Sequence, residues 1–232
     1  MEFSKSLIKG KLIKRYKRFF IDIKLNKEVV IAHCPNTGSM MGLLEKGNEV
    51  FISKNNDPKR KLKYTLEIIK VKKNLVGVNT HFANKIAYHG LTNNLVNELK
   101  NNDIVRPEVF FNKKTRFDFL IEKDKQKIFL EVKNVTLFRN KKIAEFPDSV
   151  TSRGSKHLKT LIDAIKKGYK SYLLFLVQIE KVENFKIAKD IDREYYKNYL
   201  LAKKAGVKFL AYRCKINSKE IKIEKKINII DE

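Results

Sequence analysis

The sequence predicts an α+β chain of two domains, a small N-terminal β-barrel over residues 1–80 and a C-terminal α/β domain over residues 81–232. Residues 1–80 contain five or six short runs rich in β-branched and aromatic residues, and their spacing is typical of a small barrel such as the five-stranded OB fold. From residue 81 onward, helical periodicity alternates with strand-like runs. A length of 232 residues, 43% of them hydrophobic, suits one large domain or two small ones with real cores.

The N-terminal part consists of predicted strands joined by turns. The run LIKRYKRFFIDIKL (residues 12–25) is predicted to be one long strand, and EVVIAHC and NEVFIS are predicted to be shorter ones. YTLEIIKVKK and LVGVNT are expected to form a hairpin that turns near Asn74. The stretch PNTGSM (residues 35–40) has the composition of a tight turn, and its position between the two domains leaves a ligand-binding role open.

The C-terminal part alternates helices with strands. A helix interrupted at Gly90 is expected in NKIAYHGLTNNLVNELK, and three strands are expected at residues 105–111, 115–122 and 127–136. The clearest helix follows several Ser and Thr residues that can act as N-caps, and Gly168 ends it. YLLFLVQI is a continuous apolar run, which indicates a strand buried on both faces. A helix at about 190–205 and the strands VKFLAYRC and EIKIE complete the domain.

Charge indicates the class of partner. The chain has 51 Lys and Arg against 26 Asp and Glu, a formal net charge of +25, and both domains are basic. Such a field attracts polyanions, so nucleic acid is the leading partner class. The alternative is a lysine-biased composition that only solvates the surface.

Other features limit the cellular setting. There is no run of about 18 apolar residues, so we expect no membrane span, and the N-terminal residues have no apolar core typical of a secretory signal. The two cysteines, Cys34 and Cys214, are far apart and lack metal-ligand spacing. A cytoplasmic location is therefore expected.

The segment RFDFLIEKDKQKIFLEVKNVT (residues 116–136) predicts a β-hairpin with its turn at 123–126. Opposed residue numbers then sum to 249, so that Asp118 lies opposite Glu131 and Arg116 opposite Lys133. Because side chains alternate along a strand, one face of the hairpin is expected to be apolar and the other charged. The expected apolar face consists of Phe117, Phe119, Ile121, Ile128, Leu130 and Val132.

The charged face of this hairpin has the chemistry of a metal-dependent phosphodiesterase. Opposed Cβ atoms lie about 4.5–5.5 Å apart, so Asp118 and Glu131 can share one hard divalent cation. Lys133 lies beside them and can orient the attacking water or stabilise charge that develops on phosphorus. The alternative is an exposed hairpin with ordinary cross-strand ion pairs, since Glu-x-Lys also begins at Glu98, Glu220 and Glu224.

Six side chains are candidates for nucleic-acid contacts: Arg15, Lys17, Arg18, Arg116, Arg153 and His157. The first three interleave with aromatic residues, a pattern that can hold phosphates and stack bases but also fits an ordinary strand. Arg153 lies near a predicted helix N-terminus, which favours anions. His157 either contacts substrate or water or is an ordinary polar helix residue. Gln178 could order the site or only end a strand, and Glu98 could add a carboxylate or be exposed.

The stretches RYKRFF, HCPNTGSMMGLL, VGVNTHFAN, RFDFLI followed by FLEVKNVTL, and FPDSVTSRGSKHL together resemble the sugar fermentation stimulation protein family of bacteria and archaea. The resemblance covers nearly the whole chain. It implies an OB-like domain followed by a PD-(D/E)xK nuclease-like domain with a central mixed sheet flanked by helices. Asp118 matches the first acidic position, and Glu131 and Lys133 match the (D/E)xK element. One departure is that Phe117, not Pro, precedes Asp118.

The resemblance also implies DNA binding and a link to the regulation of sugar (maltose) metabolism. The leading hypothesis is a DNA-binding protein with a Mg²⁺-dependent (or Mn²⁺-dependent) phosphodiesterase centre, a deoxyribonuclease, in which Asp118 and Glu131 bind the metal and DNA is favoured over RNA as the partner. Two alternatives stay open: a non-catalytic DNA-binding regulator that kept the fold, and an RNA-binding or RNA-processing factor.

Overall fold

A computed structural model describes residues 1–113, 115–140 and 142–231. The N-terminal domain has six strands: β1 Ile8–Tyr16, β2 Phe20–Lys24, β3 Val29–His33, β4 Glu49–Lys54, β5 Tyr64–Val71 and β6 Asn74–Gly77. Strands β1 to β5 close into a five-stranded barrel, because β1 pairs with β2 and β4 while β5 pairs with β4 and β3. Strand β6 adds to β5 outside this ring. The predicted OB-type barrel is thereby confirmed.

The prediction of one long strand at residues 12–25 is wrong. The chain reverses at Lys17 and Arg18, which have φ angles of 46° and 61°, and Tyr16 pairs with Phe20 across the resulting hairpin. Residues in this left-handed region are uncommon outside Gly, Asn and Asp, so the sequence carried no ordinary turn signal here. Alternation along β1 and β2 buries Leu12, Ile21 and Ile23 inside the barrel.

The C-terminal domain contains three α-helices and ten strands among the described residues. The helices are α1 Ala83–Thr92, α2 Ser152–Lys166 and α3 Arg193–Lys204. The strands are β7 Ile104–Asn112, β8 Thr115–Lys123, β9 Gln126–Val135, β10 Leu137–Asn140, β11 Ile143–Phe146, β12 Lys170–Val177, β13 Asn184–Ile187, β14 Lys208–Ile216, β15 Ile221–Lys226 and β16 Asn228–Ile230. The six-stranded main sheet has the order β15-β14-β12-β9-β8-β7, with β9, β12 and β14 parallel at its centre. This is the predicted mixed sheet.

Two details of the C-terminal domain differ from the predictions. Helix α1 continues through Gly90 and ends at Thr92, and a Cβ at Gly90 would lie 2.4 Å from Ile223 Cδ1, so this glycine permits close packing rather than interrupting the helix. A second sheet, β10-β11-β13-β16, was not predicted. Its strands are only three or four residues long, too short for alternation to be recognised.

The two domains are joined by backbone hydrogen bonds and by a continuous core. Gly77 N donates to Gln178 O over 2.9 Å, and Glu180 N donates to Leu75 O over 3.1 Å, so β6 of the N-terminal domain pairs with the chain that follows β12. Buried residues of the barrel and of the α2 side of the main sheet belong to the same apolar cluster. Within the described residues, no helix is long and apolar enough to span a membrane.

Candidate metal and nucleic-acid site

The hairpin β8–β9 has the predicted register from its turn as far as Phe119 and Leu130, but the predicted pairs of Asp118 with Glu131 and of Arg116 with Lys133 are not part of the ladder. Pairs run from Lys123 with Gln126 to Phe119 with Leu130, and their numbers sum to 249. Asp118 and Glu131 occupy the next position along the two strands. There the Asp118 carboxylate enters the ladder, since Val132 N donates to Asp118 Oδ2 over 2.7 Å. A carboxylate is thus held in the plane between two strands of the sheet.

The predicted separation into an apolar and a charged face is wrong in part. Phe119 contacts Tyr88 of α1, with ring centroids 6.2 Å apart, whereas Phe117 packs on Phe129 at 5.0 Å on the α2 side. Regular alternation would place Phe117 and Phe119 on the same side of the sheet. They lie on opposite sides, so the alternation is interrupted at Asp118. Leu120 and Phe129 are also buried, so both faces of the hairpin contribute to the core.

Glu131 is buried, with 3% of its surface exposed, and its two oxygens differ in environment. Oε1 accepts a hydrogen bond from Lys133 Nζ over 2.8 Å and is in short contact with His157 Nδ1. Oε2 is buried and has no hydrogen-bond partner within the described part of the chain. A buried carboxylate oxygen without a partner is costly unless a ligand or ion occupies it.

The pKa values of the two carboxylates are shifted in opposite directions. Burial, and secondarily the charge of Glu131, raises the pKa of Asp118, although hydrogen bonds from Val132 N and Asn84 oppose this. Burial also acts to raise the pKa of Glu131, but the charge of Lys133 and the contact with His157 outweigh it and lower that pKa. A half-buried carboxylate whose charge is disfavoured by a second, buried carboxylate is an arrangement that a divalent cation relieves.

Helix α2 brings His157 and Arg153 to the hairpin. The helix begins after Thr151, whose hydroxyl accepts a hydrogen bond from Gly154 N and so fixes the first turn. Arg153 Nε donates to His157 Nε2 over 3.4 Å, and Nδ1 of the same ring faces Glu131, an arrangement that fits the tautomer with its proton on Nδ1. His157 is therefore not an isolated polar helix residue, since it contacts the predicted site.

Asp118 lies in an open cleft of about 720 Å³ between α1, α2 and the β7–β8 hairpin. Its lining residues are Asn84, Glu108, Phe110, Lys113, Thr115, Arg116, Asp118, Arg153, Lys156 and His157. Five of these ten are Lys, Arg or His, so the cleft suits an anionic ligand. Arg116 forms an ion pair with Glu108 at 2.7 Å and stacks over Phe110 at 5.7 Å.

Asn84 was not recognised from the sequence. Its Nδ2 donates to Asp118 Oδ1 over 2.8 Å from the first turn of α1. A lone Asn in a helical segment gives no local signal, because its partner lies 34 residues away.

The barrel residues Arg15, Lys17 and Arg18 are not among the residues that line this cleft. The guanidinium of Arg15 donates to the carbonyl oxygens of Asn36 (2.6 Å), Gly38 (3.0 Å) and Arg18 (2.8 Å), which makes it a clamp on the loop at residues 35–40. Lys17 and Arg18 are exposed at the tip of the β1–β2 hairpin. Their part in nucleic-acid binding stays a prediction.

Gln178 and Glu98 also have other partners. Gln178 is buried and donates from Nε2 to Asn134 Oδ1 over 2.6 Å, so it links the end of β12 to β9 next to the domain junction. Glu98 accepts hydrogen bonds from Tyr212 and Lys226 rather than joining the carboxylate pair. In the described residues, no group of three or more His, Cys, Asp and Glu side chains is arranged to hold a metal. Metal binding by the pair Asp118 and Glu131 stays a prediction.

Comparisons with known proteins match both domains. The family model described as the SfsA N-terminal OB domain matches residues 13–78, and that described as the sugar fermentation stimulation protein RE domain matches residues 81–220. A sugar fermentation stimulation protein homolog from Pelagibacter ubique is 80% identical over 100% of both chains, and one from Pseudoalteromonas atlantica is 44% identical over 99% of this chain and 100% of the relative.

A solved structure is similar along the whole chain. The structure of Pyrococcus furiosus SfsA in complex with Ca²⁺ superposes with a TM-score of 0.89 over 100% of this chain and 98% of the other, at 24% identity. At this identity the likeness concerns the fold. The two family models and the high identity to full-length relatives together show that the chain belongs to the sugar fermentation stimulation protein family.

Proposed function

We propose that this protein is a DNA-binding phosphodiesterase that depends on a divalent metal and uses Asp118, Glu131 and Lys133. One observation carries the proposal: Glu131 has a buried oxygen without a partner, the amide of the adjacent Val132 donates to the Asp118 carboxylate, and Asp118 opens to a basic cleft. Structural ion pairs rarely leave a buried carboxylate oxygen unsatisfied, whereas a site that receives a cation does so before the cation binds.

The donor set fits a hard cation. Asp118 and Glu131 supply carboxylate oxygens, the ligands that Mg²⁺ and Mn²⁺ prefer, and water and phosphate oxygens can fill the other positions. The two oxygens of Glu131 have different roles: Oε1 accepts a hydrogen bond from Lys133, while Oε2 is available to a cation. The similar Pyrococcus furiosus protein forms a complex with Ca²⁺, which supports an oxygen-ligand site in this fold.

The chain's own residues position the reaction. A cation held by the two carboxylates would supply Lewis-acid polarisation of a phosphodiester oxygen. Lys133, held by Glu131 Oε1, can donate a hydrogen bond to the attacking water or to charge that develops on phosphorus. His157 and Arg153 keep Glu131 oriented, and Asn84 and Val132 N hold the two oxygens of Asp118. Both carboxylates are therefore held by contacts from neighbouring elements.

Charge supports nucleic acid as the substrate. The net charge of +25 attracts polyanions, and Arg116, Arg153 and Lys156 in the cleft can bind phosphates beside Asp118. The OB domain adds a second module of a type that commonly binds nucleic acids. We favour DNA over RNA on the resemblance of the hairpin to PD-(D/E)xK nucleases. The link to sugar metabolism rests on the family alone.

A cleavage assay tests the proposal. The purified protein is incubated with single-stranded, linear duplex and supercoiled DNA and RNA of matched sequence, with Mg²⁺ or Mn²⁺ and in parallel with EDTA. We compare Asp118→Asn with Asp124→Asn, a matched control in the exposed turn of the same hairpin. Metal-dependent cutting that is lost only in Asp118→Asn supports the proposal. Absence of cutting with intact, salt-sensitive binding overturns it.

The second candidate is a non-catalytic DNA-binding regulator. The observation that favours it is the occupation of Glu131 Oε1 by both Lys133 and His157, which neutralises this carboxylate without any metal. In that case the EDTA-treated protein would bind DNA as tightly as the Mg²⁺-loaded protein, and Asp118→Asn would leave binding unchanged.

A further inference from the structure

A second cavity, of about 250 Å³, lies at the junction of the two domains and is distinct from the catalytic cleft. The barrel contributes the loop at residues 36–38, and the C-terminal domain contributes the ends of β9 and β11 and the loop at residues 147–151. This cavity, which we call the junction pocket, includes the PNTGSM turn for which the sequence left a ligand role open.

The walls of the junction pocket are fixed by interdomain contacts. Ser39 Oγ donates to Asp148 O over 2.7 Å, and Met40 N donates to Asp148 Oδ2 over 3.3 Å. A Cβ at Gly38 would lie 2.3 Å from Asp148 Oδ2, so only glycine permits this approach. Arg15 clamps the same loop from behind. The pocket is therefore preformed rather than a gap between mobile loops.

The lining of the junction pocket favours an uncharged group over a phosphate. In a chain with 51 Lys and Arg, none of the lining residues is Lys or Arg. Its two carboxylates are already bound, since both oxygens of Glu145 accept hydrogen bonds from Arg139 at 2.8 Å and Asp148 is held by the barrel loop. What remains is a set of neutral hydroxyl and amide groups beside apolar surfaces of Leu137 and Phe146.

The junction pocket and the catalytic cleft flank the same structural elements. Asn134 lines the pocket and directly follows Lys133 on β9. Thr151 lines the pocket and caps α2, whose next residues Arg153 and His157 line the cleft. The pocket lies at the carboxyl ends of the parallel strands β9 and β12, the edge at which α/β sheets commonly bind ligands.

We propose that the junction pocket binds the nucleoside part, base and sugar, of a nucleotide whose phosphate lies in the basic cleft. This inference rests on the proposed function, because it divides one nucleotide between a neutral site and a cationic one. An apolar wall for the base and neutral donors and acceptors for its edge are the requirements for reading an unstacked nucleotide. The substrate would then be single-stranded or locally unpaired DNA, because a paired base cannot enter the pocket.

The absence of Trp from the chain gives a direct test. Val150 lines the pocket and is 76% exposed, so Val150→Trp places a single tryptophan, whose emission can be excited selectively over that of the tyrosines, at its mouth. Ser152→Trp is the matched control, since Ser152 is exposed two residues away and lines neither cavity. Each variant is titrated with thymidine 5′-monophosphate, thymidine and inorganic phosphate. We expect saturable quenching of Val150→Trp by both nucleoside compounds, tighter for the monophosphate, and none by phosphate.

A second variant tests the lining itself. Thr136→Val, in the Val150→Trp background, removes one pocket hydroxyl at constant shape and should weaken binding of the monophosphate about threefold to tenfold. Thr160→Val is its control, because Thr160 is equally buried but bonds within α2. Equal quenching at residues 150 and 152, quenching by phosphate alone, or no effect of Thr136→Val would overturn the inference.

The outcome is separable from that of the proposed function. Asp118→Asn in the Val150→Trp background should still show quenching by thymidine, since the base site does not include the carboxylate pair. Nucleoside binding without any metal-dependent cleavage would support the nucleoside site and contradict the proposed nuclease activity. Cleavage without quenching by nucleosides would support the nuclease activity and contradict the nucleoside site.

Discussion

The backbone amide of Val132 donates to Asp118 Oδ2 over 2.7 Å, at the point where β8 and β9 would otherwise continue their ladder. This hydrogen bond fixes the first carboxylate of the site, and Asn84 fixes its other oxygen at 2.8 Å. The same contact coincides with the change of side that puts Phe117 and Phe119 in different clusters. The hydrogen bond between Val132 N and Asp118 thus belongs both to the candidate site and to the irregularity in the sheet.

The first prediction separates charge from hydrogen bonding at Asp118. Asp118→Ala leaves Val132 N without its acceptor and should lower the free energy of unfolding by about 1–3 kcal/mol. Asp118→Asn keeps a carbonyl acceptor for Val132 N and should be more stable than Asp118→Ala, by about 1–2 kcal/mol. Urea denaturation of both variants and of the unmodified chain measures this. Equal stability of the two variants would show that the hydrogen bond to Val132 contributes nothing.

The second prediction concerns Lys133. Its ammonium occupies Glu131 Oε1 and opposes the charge of an incoming cation, so Lys133→Met should bind Ca²⁺ more tightly, about twofold to tenfold, while losing DNA cleavage. Asp118→Asn should instead bind Ca²⁺ more weakly. Titration calorimetry with Ca²⁺ measures both affinities, and Lys127→Met, on the same strand, is the control. Weaker Ca²⁺ binding by Lys133→Met would contradict the assignment of Lys133 to chemistry rather than to metal support.

The hairpin could be predicted from the sequence because its register depends on local signals. A polar turn at residues 123–126 and alternating residues on both sides determine which residues are opposed, so the pairs from Lys123 with Gln126 to Phe119 with Leu130 follow the predicted register. The direction of Phe117 could not be predicted, because it depends on a side-chain carboxylate entering the ladder.

Long-range contacts explain what else the sequence did not reveal. Asn84 reaches Asp118 across 34 residues, and His157 reaches Glu131 across 26, so both depend on how α1 and α2 pack on the sheet. Three backbone carbonyls hold the guanidinium of Arg15, an arrangement that its basic and aromatic neighbours did not reveal, and its predicted contact with nucleic acid stays a prediction. Charge patterns indicate a class of partner, whereas the partner of each charged group is decided by tertiary structure.

The third prediction concerns phosphate contacts in the cleft. Each Lys or Arg that neutralises a phosphate releases condensed counterions, so Arg153→Ala and Lys156→Ala should each reduce the slope of log K against log salt by about 1. Lys166→Ala, at the opposite end of α2, should leave the slope unchanged. Fluorescence anisotropy with labelled single-stranded DNA at several salt concentrations gives these slopes. If Arg153→Ala and Lys156→Ala had the same slope of log K against log salt as Lys166→Ala, the cleft would not be the phosphate site.

The fourth prediction tests the junction between the domains. A Cβ at Gly77 would lie 2.5 Å from the buried Gln178 Oε1, so Gly77→Ala should lower the free energy of unfolding by about 1–3 kcal/mol. Gln178→Ala removes the obstructing atom and should reduce the cost of Gly77→Ala in the double variant. Thermal unfolding of the two single variants and the double variant completes the cycle. Additive effects would show that the two side chains do not compete for the same space.

The fifth prediction concerns the pH dependence of stability at Glu67. This residue is buried in the barrel, accepting hydrogen bonds from Ser53 at 2.6 Å and Asn79 at 2.7 Å, and burial raises its pKa above the usual 4.5. A raised pKa means that the folded protein binds this proton more tightly than the unfolded chain. The stabilisation from protonation is therefore complete below pH 4.5 and is lost as the pH rises through the folded value.

Glu67→Gln should remove the loss of stability that accompanies the ionisation of Glu67. The amide can accept from Asn79 and donate to the Ser53 hydroxyl, so the variant should be more stable than the unmodified chain at pH 7, by about 1 kcal/mol. Below pH 4.5 the two should converge, because Glu67 is then neutral in both the folded and the unfolded state. Glu28→Gln, an exposed residue before β3, is the control for a general change in net charge. Urea denaturation from pH 4 to pH 8 measures the difference, and a variant destabilised at pH 7 would show that the charged form of Glu67 is the one the barrel stabilises.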